Sequence, residues 1–195
     1  MTRTADISRS TGETQISLRL SLDGSGAGER QTGVGFFDHL LDALARHGAL
    51  DLDVHTQGDL ETGAHHTVED TGLALGRALD EALGDRAGIA RFGQAIVPMD
   101  DARASAAIDL SGRPYVVFEG EVPTQSIGGF DTDLTEEFFR AVAAQAKLTL
   151  HLQVEAGANA HHMVEVSFKA FARALRAAVA LDPVLTGIPS TKGIL

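Results

Sequence analysis

Apolar and polar residues alternate from Thr14 to Leu22. Ile16, Leu18, Leu20 and Leu22 fall on one side of an extended chain, and Gln15, Ser17, Arg19 and Ser21 fall on the other. That pattern predicts a half-buried strand. Gly24-Ser25-Gly26-Ala27-Gly28 reads as a turn or flexible loop. The period then lengthens: Leu40, Leu41, Leu44 and Ala45 recur at helical spacing behind Phe36-Phe37-Asp38-His39. Alternation returns in Leu50-Asp51-Leu52-Asp53-Val54. A second helix follows over Thr67–Leu83, with Leu73, Leu75, Leu79 and Leu83 on its apolar face and Gly84 as its stop.

The second half repeats this order. Ala95–Val97, Ala102–Asp109 and Tyr115–Glu119 read as strands. Ala141, Val142, Ala144 and Gln145 follow Glu136-Glu137-Phe138-Phe139 as a helix, and Leu148–Leu152 alternates. Val164–Ala180 then places Phe168, Phe171, Leu175 and Val179 on one helical face, ended by Asp182-Pro183. Each half also carries a His-His-x-Val-Glu segment, at His65–Glu69 and His161–Glu165, close to half a chain apart. A duplicated half-domain is the simplest account. The expected class is α+β, with two similar halves over 1–93 and 94–195, the second ending in a tail. Each half is expected to be a mostly antiparallel sheet with two helices on one face.

Composition narrows the function. The 195 residues are 44% hydrophobic and 22% charged, enough for a core, and the net charge is −11. The acidic excess is spread over both halves and no basic face is evident. Neither nucleic acid nor an anionic membrane surface is therefore an expected partner. There is no Trp and one Tyr, so base stacking is poorly supplied. The absence of Cys excludes disulfides, thiolate metal sites and a Cys nucleophile. No apolar run reaches the ~18 residues of a membrane helix, and Met1–Gln15 has no secretory pattern. A cytoplasmic protein is the expectation.

Histidine is the unusual entry, with eight residues, four of them in the two pairs. On a helix, adjacent side chains point in different directions. Glu69 is i+4 from His65 and i+3 from His66, and so shares a face with either. Glu165 stands in the same relation to His161 and His162. Imidazole and carboxylate one turn apart is the ligand geometry of two-metal helix bundles, and diverging rings suit two ions better than one. Such a donor set takes Mn, Fe or Zn. His39 opens the first helix and is a further ligand candidate. His47 precedes Gly48 at that helix's end, where a cation is favoured. His55 and His151 read as surface residues. Ser190-Thr191-Lys192-Gly193 suits a phosphate but lacks the P-loop pattern. Arg91, at the junction of the halves, and Arg113, in the turn Ser111–Pro114, are alone surface arginines, and Glu13 is alone an ordinary turn acid. On this evidence a two-metal hydrolase of phosphate esters and a protein whose metal ions only join subunits both remain readings.

Together, Phe36-Phe37-Asp38-His39-Leu40-Leu41, Gly58-Asp59-Leu60, His65–Gly72, Pro98-Met99-Asp100, Asp109–Pro114 and Ser190–Gly193 resemble the imidazoleglycerol-phosphate dehydratase family of histidine biosynthesis. The resemblance runs from Glu13 to the C-terminus. It implies dehydration of D-erythro-imidazoleglycerol phosphate to imidazole-acetol phosphate, with two Mn2+ ions per active site stabilising a substrate imidazolate. It further implies a homo-oligomer, the octahedral 24-mer of the family, with sites shared between subunits. The implied metal ligands are His39, His65, His66, Glu69, His161, His162 and Glu165. Glu137 stands where many members have histidine. It either exchanges a nitrogen ligand for oxygen or leaves a weaker site. Arg91, Arg113, Ser190, Thr191 and Lys192 are implied to hold the substrate phosphate, and Glu13 and His47 to line the substrate site. Glu13 and Glu165 are the expected proton-transfer residues.

Overall fold

A computed structural model describes residues 3–195. The first half comprises β1 (Thr4–Ser10), β2 (Thr14–Ser21), β3 (Arg30–Gln31), α1 (Gly35–Gly48), β4 (Asp51–Gly58) and α2 (His65–Leu83). The second comprises β5 (Phe92–Met99), β6 (Ala102–Asp109), β7 (Tyr115–Glu119), a small hairpin of β8 (Ser126–Ile127) and β9 (Phe130–Asp131), then α3 (Leu134–Ala146), β10 (Thr149–Ala156) and α4 (Ala160–Val179). The main sheets have the orders β1-β2-β4-β3 and β5-β6-β10-β7. In each, only the last pair is parallel, because its two strands are joined through a helix. Apart from the β8–β9 hairpin, the two halves share one topology.

Strand β1 extends the sheet beyond the expected first strand. It pairs antiparallel with β2, Thr4 opposite Ser21 and Ser10 opposite Gln15. Only Ala5 and Ile7 of β1 are buried hydrophobics, too short an alternation to stand out in the sequence. Strand β4 likewise runs past Val54 to Gly58. Its next inward residue is Thr56, a buried hydroxyl 2.9 Å from Thr71 Oγ1 on α2. A satisfied polar residue continues the inward face there, so the apolar pattern stops before the strand does.

Each sheet turns one face toward the helices, and the core is continuous between the halves. Helix α1 packs on α4 and α2 on α3, so the helix pairs cross between halves. Both pairs are parallel. His39 meets Glu165 near the starts of α1 and α4, and Gly48, the last residue of α1, faces the Ala172 carbonyl in the second half of α4. Gly72 faces the Phe138 carbonyl and Gly76 the Val142 carbonyl. The Phe37 and Phe138 rings, 5.5 Å apart, join the two pairs. All four helices therefore start at one end of the molecule, and both His-His segments lie there. No described helix is long and apolar enough to cross a membrane.

Gly76 fixes how closely α2 approaches α3. A Cβ at Gly76 would lie 2.4 Å from the Val142 carbonyl oxygen. Helix propensity alone would make Gly76→Ala stabilising by about 1 kcal/mol. The close approach outweighs it, and we expect a net loss of about 1–3 kcal/mol, measured by urea unfolding. An unchanged or raised midpoint would show that the helices separate freely.

Candidate active site

Helix α1 presents His39 from its second turn, and α4 presents His161 and Glu165 one turn apart. His39 Nε2 and His161 Nε2 lie 3.1 Å and 3.2 Å from the same oxygen, Glu165 Oε2. One ligand atom from each of the three side chains falls within 4.8 Å of the others. Donors about 2 Å from a common ion lie roughly 3–4 Å apart, so the spacing fits a metal ion. The donor chemistry, two imidazoles and a carboxylate, suits manganese, iron or zinc. Glu165 is a buried carboxylate. Burial opposes its ionisation, but the hydrogen bonds from Lys169 and His39 outweigh that and hold its carboxyl below the usual range. Lys169 Nζ sits 2.7 Å from Glu165 Oε1, leaving Oε2 to the histidines. The sequence reading passed over Lys169, although its i+4 spacing from Glu165 could have found it.

Helix α2 offers a looser set. His65 Nε2 is 3.4 Å from Glu69 Oε2, with both side chains partly exposed. His66 points elsewhere, its ring 88° from that of His65. Its Nδ1 lies 3.0 Å from both oxygens of Asp59, and its Nε2 lies 3.7 Å from Glu13 Oε1. The Asp59 hydrogen bond raises the pKa of His66 above the ordinary histidine range. In the second half, His162 Nδ1 is 2.6 Å from Asp101 Oδ1, and its Nε2 is 3.7 Å from Asp100 Oδ2. The hydrogen bond from His162 and the backbone amides of Ala158 and Asn159 hold the Asp101 carboxyl far below its usual range. In the sequence Asp59 and Asp100 stand only within motifs of the family resemblance, and neither they nor Asp101 has a role there, because the acids reach these rings from separate loops.

Glu137 occupies the place on α3 that His39 occupies on α1. Both helices end at a left-handed cap, Ala49 and Lys147, and His39 and Glu137 each stand ten residues before it. The parallel pairing of α2 and α3 puts Glu137, half-buried in the first turn of α3, at the same end as His65 and Glu69. The three-donor cluster found among the described residues is that of His39, His161 and Glu165, and Glu137 is not in it.

The expected phosphate-binding residues gather elsewhere. Arg91 has a left-handed backbone (φ 69°). Its guanidinium takes Asp109 in two bonds of 2.7 Å and 3.2 Å and the Pro189 carbonyl at 2.8 Å. The C-terminal tail folds back along this edge. Gly88 N–H donates to the Gly187 carbonyl, and Leu195 lies against Gly112, beside the exposed Arg113. Ser190, Thr191 and Lys192 form a turn in which Gly193 N–H donates to the Ser190 carbonyl and Lys192 N–H to Ser190 Oγ.

This group and the histidine clusters stand at opposite ends of the fold. Arg91 adjoins the Phe92–Asp109 end of the β5–β6 pair, whereas Asp100 and Asp101 cap the Met99–Ala102 end, an eight-residue strand of about 25 Å away. Helix α4 gives the same result: Arg91 N–H bonds the carbonyl of Ala178, and His161 lies at the far end, about 25 Å along the axis. His47 sits between, in the last turn of α1. Burial, with Lys169 and Arg173 nearby, holds its pKa below the histidine norm. One chain thus brings His39, His161 and Glu165 together, and His66 toward Glu13. It does not bring Arg91, Arg113 or Ser190–Lys192 to either cluster.

Comparison with known proteins agrees with the residue pattern. The family model described as imidazoleglycerol-phosphate dehydratase matches residues 32–175. The protein of that name from Frankia casuarinae is 57% identical over 195 residues, covering 100% of both chains. That from Ruegeria sp. is 55% identical over 194 residues, 99% of this chain and 100% of the relative. Among solved structures, imidazoleglycerol-phosphate dehydratase from Pyrococcus furiosus superposes with a TM-score of 0.84 at 36% identity, covering 97% of this chain and 100% of that one. The Staphylococcus aureus enzyme gives 0.83 at 38% identity, over 92% and 99%. With the fold, the two His-His-x-Val-Glu helices and full-length similarity in agreement, the chain belongs to the imidazoleglycerol-phosphate dehydratase family, the hydro-lyases of histidine biosynthesis.

Proposed function

We propose that this dehydratase works with two manganese ions per active site, held by the histidine–carboxylate sets at the helix starts. The convergence of His39, His161 and Glu165 on one point carries the proposal. His65, His66, Glu69 and His162 supply the other donors, and Glu137 adds a carboxylate at the place on α3 corresponding to His39.

The substrate loses a C2 hydrogen and a C3 hydroxyl, and the enol so formed becomes imidazole-acetol phosphate. The C2 proton of the substrate is not acidic, so the electrons must be drawn toward the imidazole. Manganese held by these side chains would supply the Lewis acidity that draws them there. Glu13, held on the β1–β2 turn, moves the proton at the carbon chain. Glu165 assists at the leaving hydroxyl, which departs as water with a proton passed on from the Lys169 ammonium beside it. Arg91, Arg113, Ser190, Thr191 and Lys192 grip the phosphate and fix the orientation, and His47 lines the approach.

A small substrate cannot reach both the clamp and the clusters of one chain. The proposed site therefore takes its clamp from one copy and its metal ligands from others. This favours a homo-oligomer, with the octahedral 24-mer of the family as the form expected. Manganese uptake tests the metal reading. Metal-stripped protein dialysed against Mn2+ is expected to bind two ions per chain, and His161→Ala one. Uptake of no ions, or of the same number by both proteins, would overturn it.

A further inference from the structure

We infer that Asp59 and Asp101 are positioning residues that fix the tautomer and direction of the second histidine in each pair. This rests on the metal reading above. A carboxylate has no proton to give, so the nitrogen bonded to it must carry one. His66 Nδ1 faces Asp59, and His162 Nδ1 faces Asp101. In both neutral rings the lone pair is thereby left on Nε2. Each Asp is itself held. Thr62 Oγ1 donates to Asp59 Oδ2 at 3.1 Å. Asp101 Oδ2 accepts the backbone N–H groups of Ala158 and Asn159 at 2.6 Å and 3.0 Å, leaving Oδ1 for the ring.

The two acids have different origins. Strand β4 ends at Gly58 and Asp59 follows it, but β10 ends at Ala156 and is followed by Gly157. The second half has no carboxylate at that point. Its ring is instead met by Asp101, from the β5–β6 turn 61 residues earlier. A contact kept only by inheritance from a duplicated ancestor would come from the same place in both halves. Two acids reaching the same ring atom by different routes indicate that the atom needs a carboxylate. The first histidine of each pair is built otherwise: Nε2 of His65 and of His161 faces the glutamate four residues on. Outer carboxylates of this kind orient a ligand ring, and their loss typically costs 10–100-fold in metal affinity.

The test measures Mn2+ affinity of the metal-stripped full-length protein by competition with a fluorescent chelator, alongside the melting temperature of the metal-free form. Asp59→Ala is expected to weaken binding by about 10–100-fold at one site. Asp59→Asn, whose amide oxygen still accepts the Nδ1 proton, is expected to recover most of that loss. A role confined to folding would lower the metal-free melting temperature without separating Asn from Ala in affinity. The inference is overturned if Asp59→Ala binds Mn2+ within twofold of wild type, or if Asp59→Asn is as weak as Asp59→Ala. The Asp101→Ala and Asp101→Asn pair, read in the same way, decides the matter should Asp59→Ala not fold. Wild-type protein that takes up no Mn2+ would instead remove the metal reading itself, a result distinguishable from these.

Discussion

Glu13→Gln is expected to cut turnover of imidazoleglycerol phosphate by about 10²–10⁴-fold, the usual contribution of a positioned proton-transfer group. The substitution keeps the size of the side chain and removes its ability to take a proton. Glu13 sits on the β1–β2 turn with its carboxylate largely exposed, 3.7 Å from His66 Nε2. Its fold contact is made by the backbone: its carbonyl accepts the N–H of Asp59 at 3.1 Å. Glutamine therefore leaves the local structure in place. Glu165→Gln would be a poorer probe, because it also disturbs His39, His161 and Lys169. Turnover should be compared at equal manganese content, with the melting temperature checked. Full activity with both ions bound would remove Glu13 from the chemistry.

Much of the fold was legible because its periods are clean. The inward residues Ile16, Leu18 and Leu20 of β2, and Phe168, Phe171 and Leu175 of α4, are all buried. The duplicated His-His-x-Val-Glu segment carries the pseudo-symmetry in the sequence itself. Strand β1 was invisible because two apolar residues do not make a pattern, and the end of β4 because Thr56 buries a hydroxyl. Within the site, contacts at helical spacing were readable: His65 with Glu69, and His161 with Glu165. Contacts set by tertiary packing were not. Asp59 meets His66 across a short 3-10 turn at Leu60–Thr62, and Asp101 meets His162 across most of a half-domain. The correspondence of Glu137 with His39 was likewise hidden. Counting from the phenylalanine pairs misaligns the helices, whereas their left-handed caps align them.

The separation of clamp and clusters leads to the other large effect. His162→Ala, which removes a proposed metal ligand, and Arg113→Ala, which removes a proposed phosphate contact, are each expected to be nearly inactive alone. Arg113 is the better choice at the clamp, because Arg91 is also tied to Asp109 and the Pro189 carbonyl. Mixed in equal amounts, dissociated and reassembled with Mn2+, the two variants should recover activity. Some sites then combine an intact cluster from one chain with an intact clamp from another. If one cluster and one clamp from two chains meet at random, recovery is on the order of a quarter of wild type. A site contained within one chain cannot be restored this way, since each chain carries its own defect. Recovery and its absence are therefore separated by the geometry of β5 and α4, which hold Arg91 and His161 about 25 Å apart. No recovery from a mixture shown to exchange subunits would overturn the shared site. The hydrogen bonds of Gly88 to Gly187 and of Arg91 to Pro189 hold the tail at the Arg91 end of the fold and so oppose a site closed within one chain.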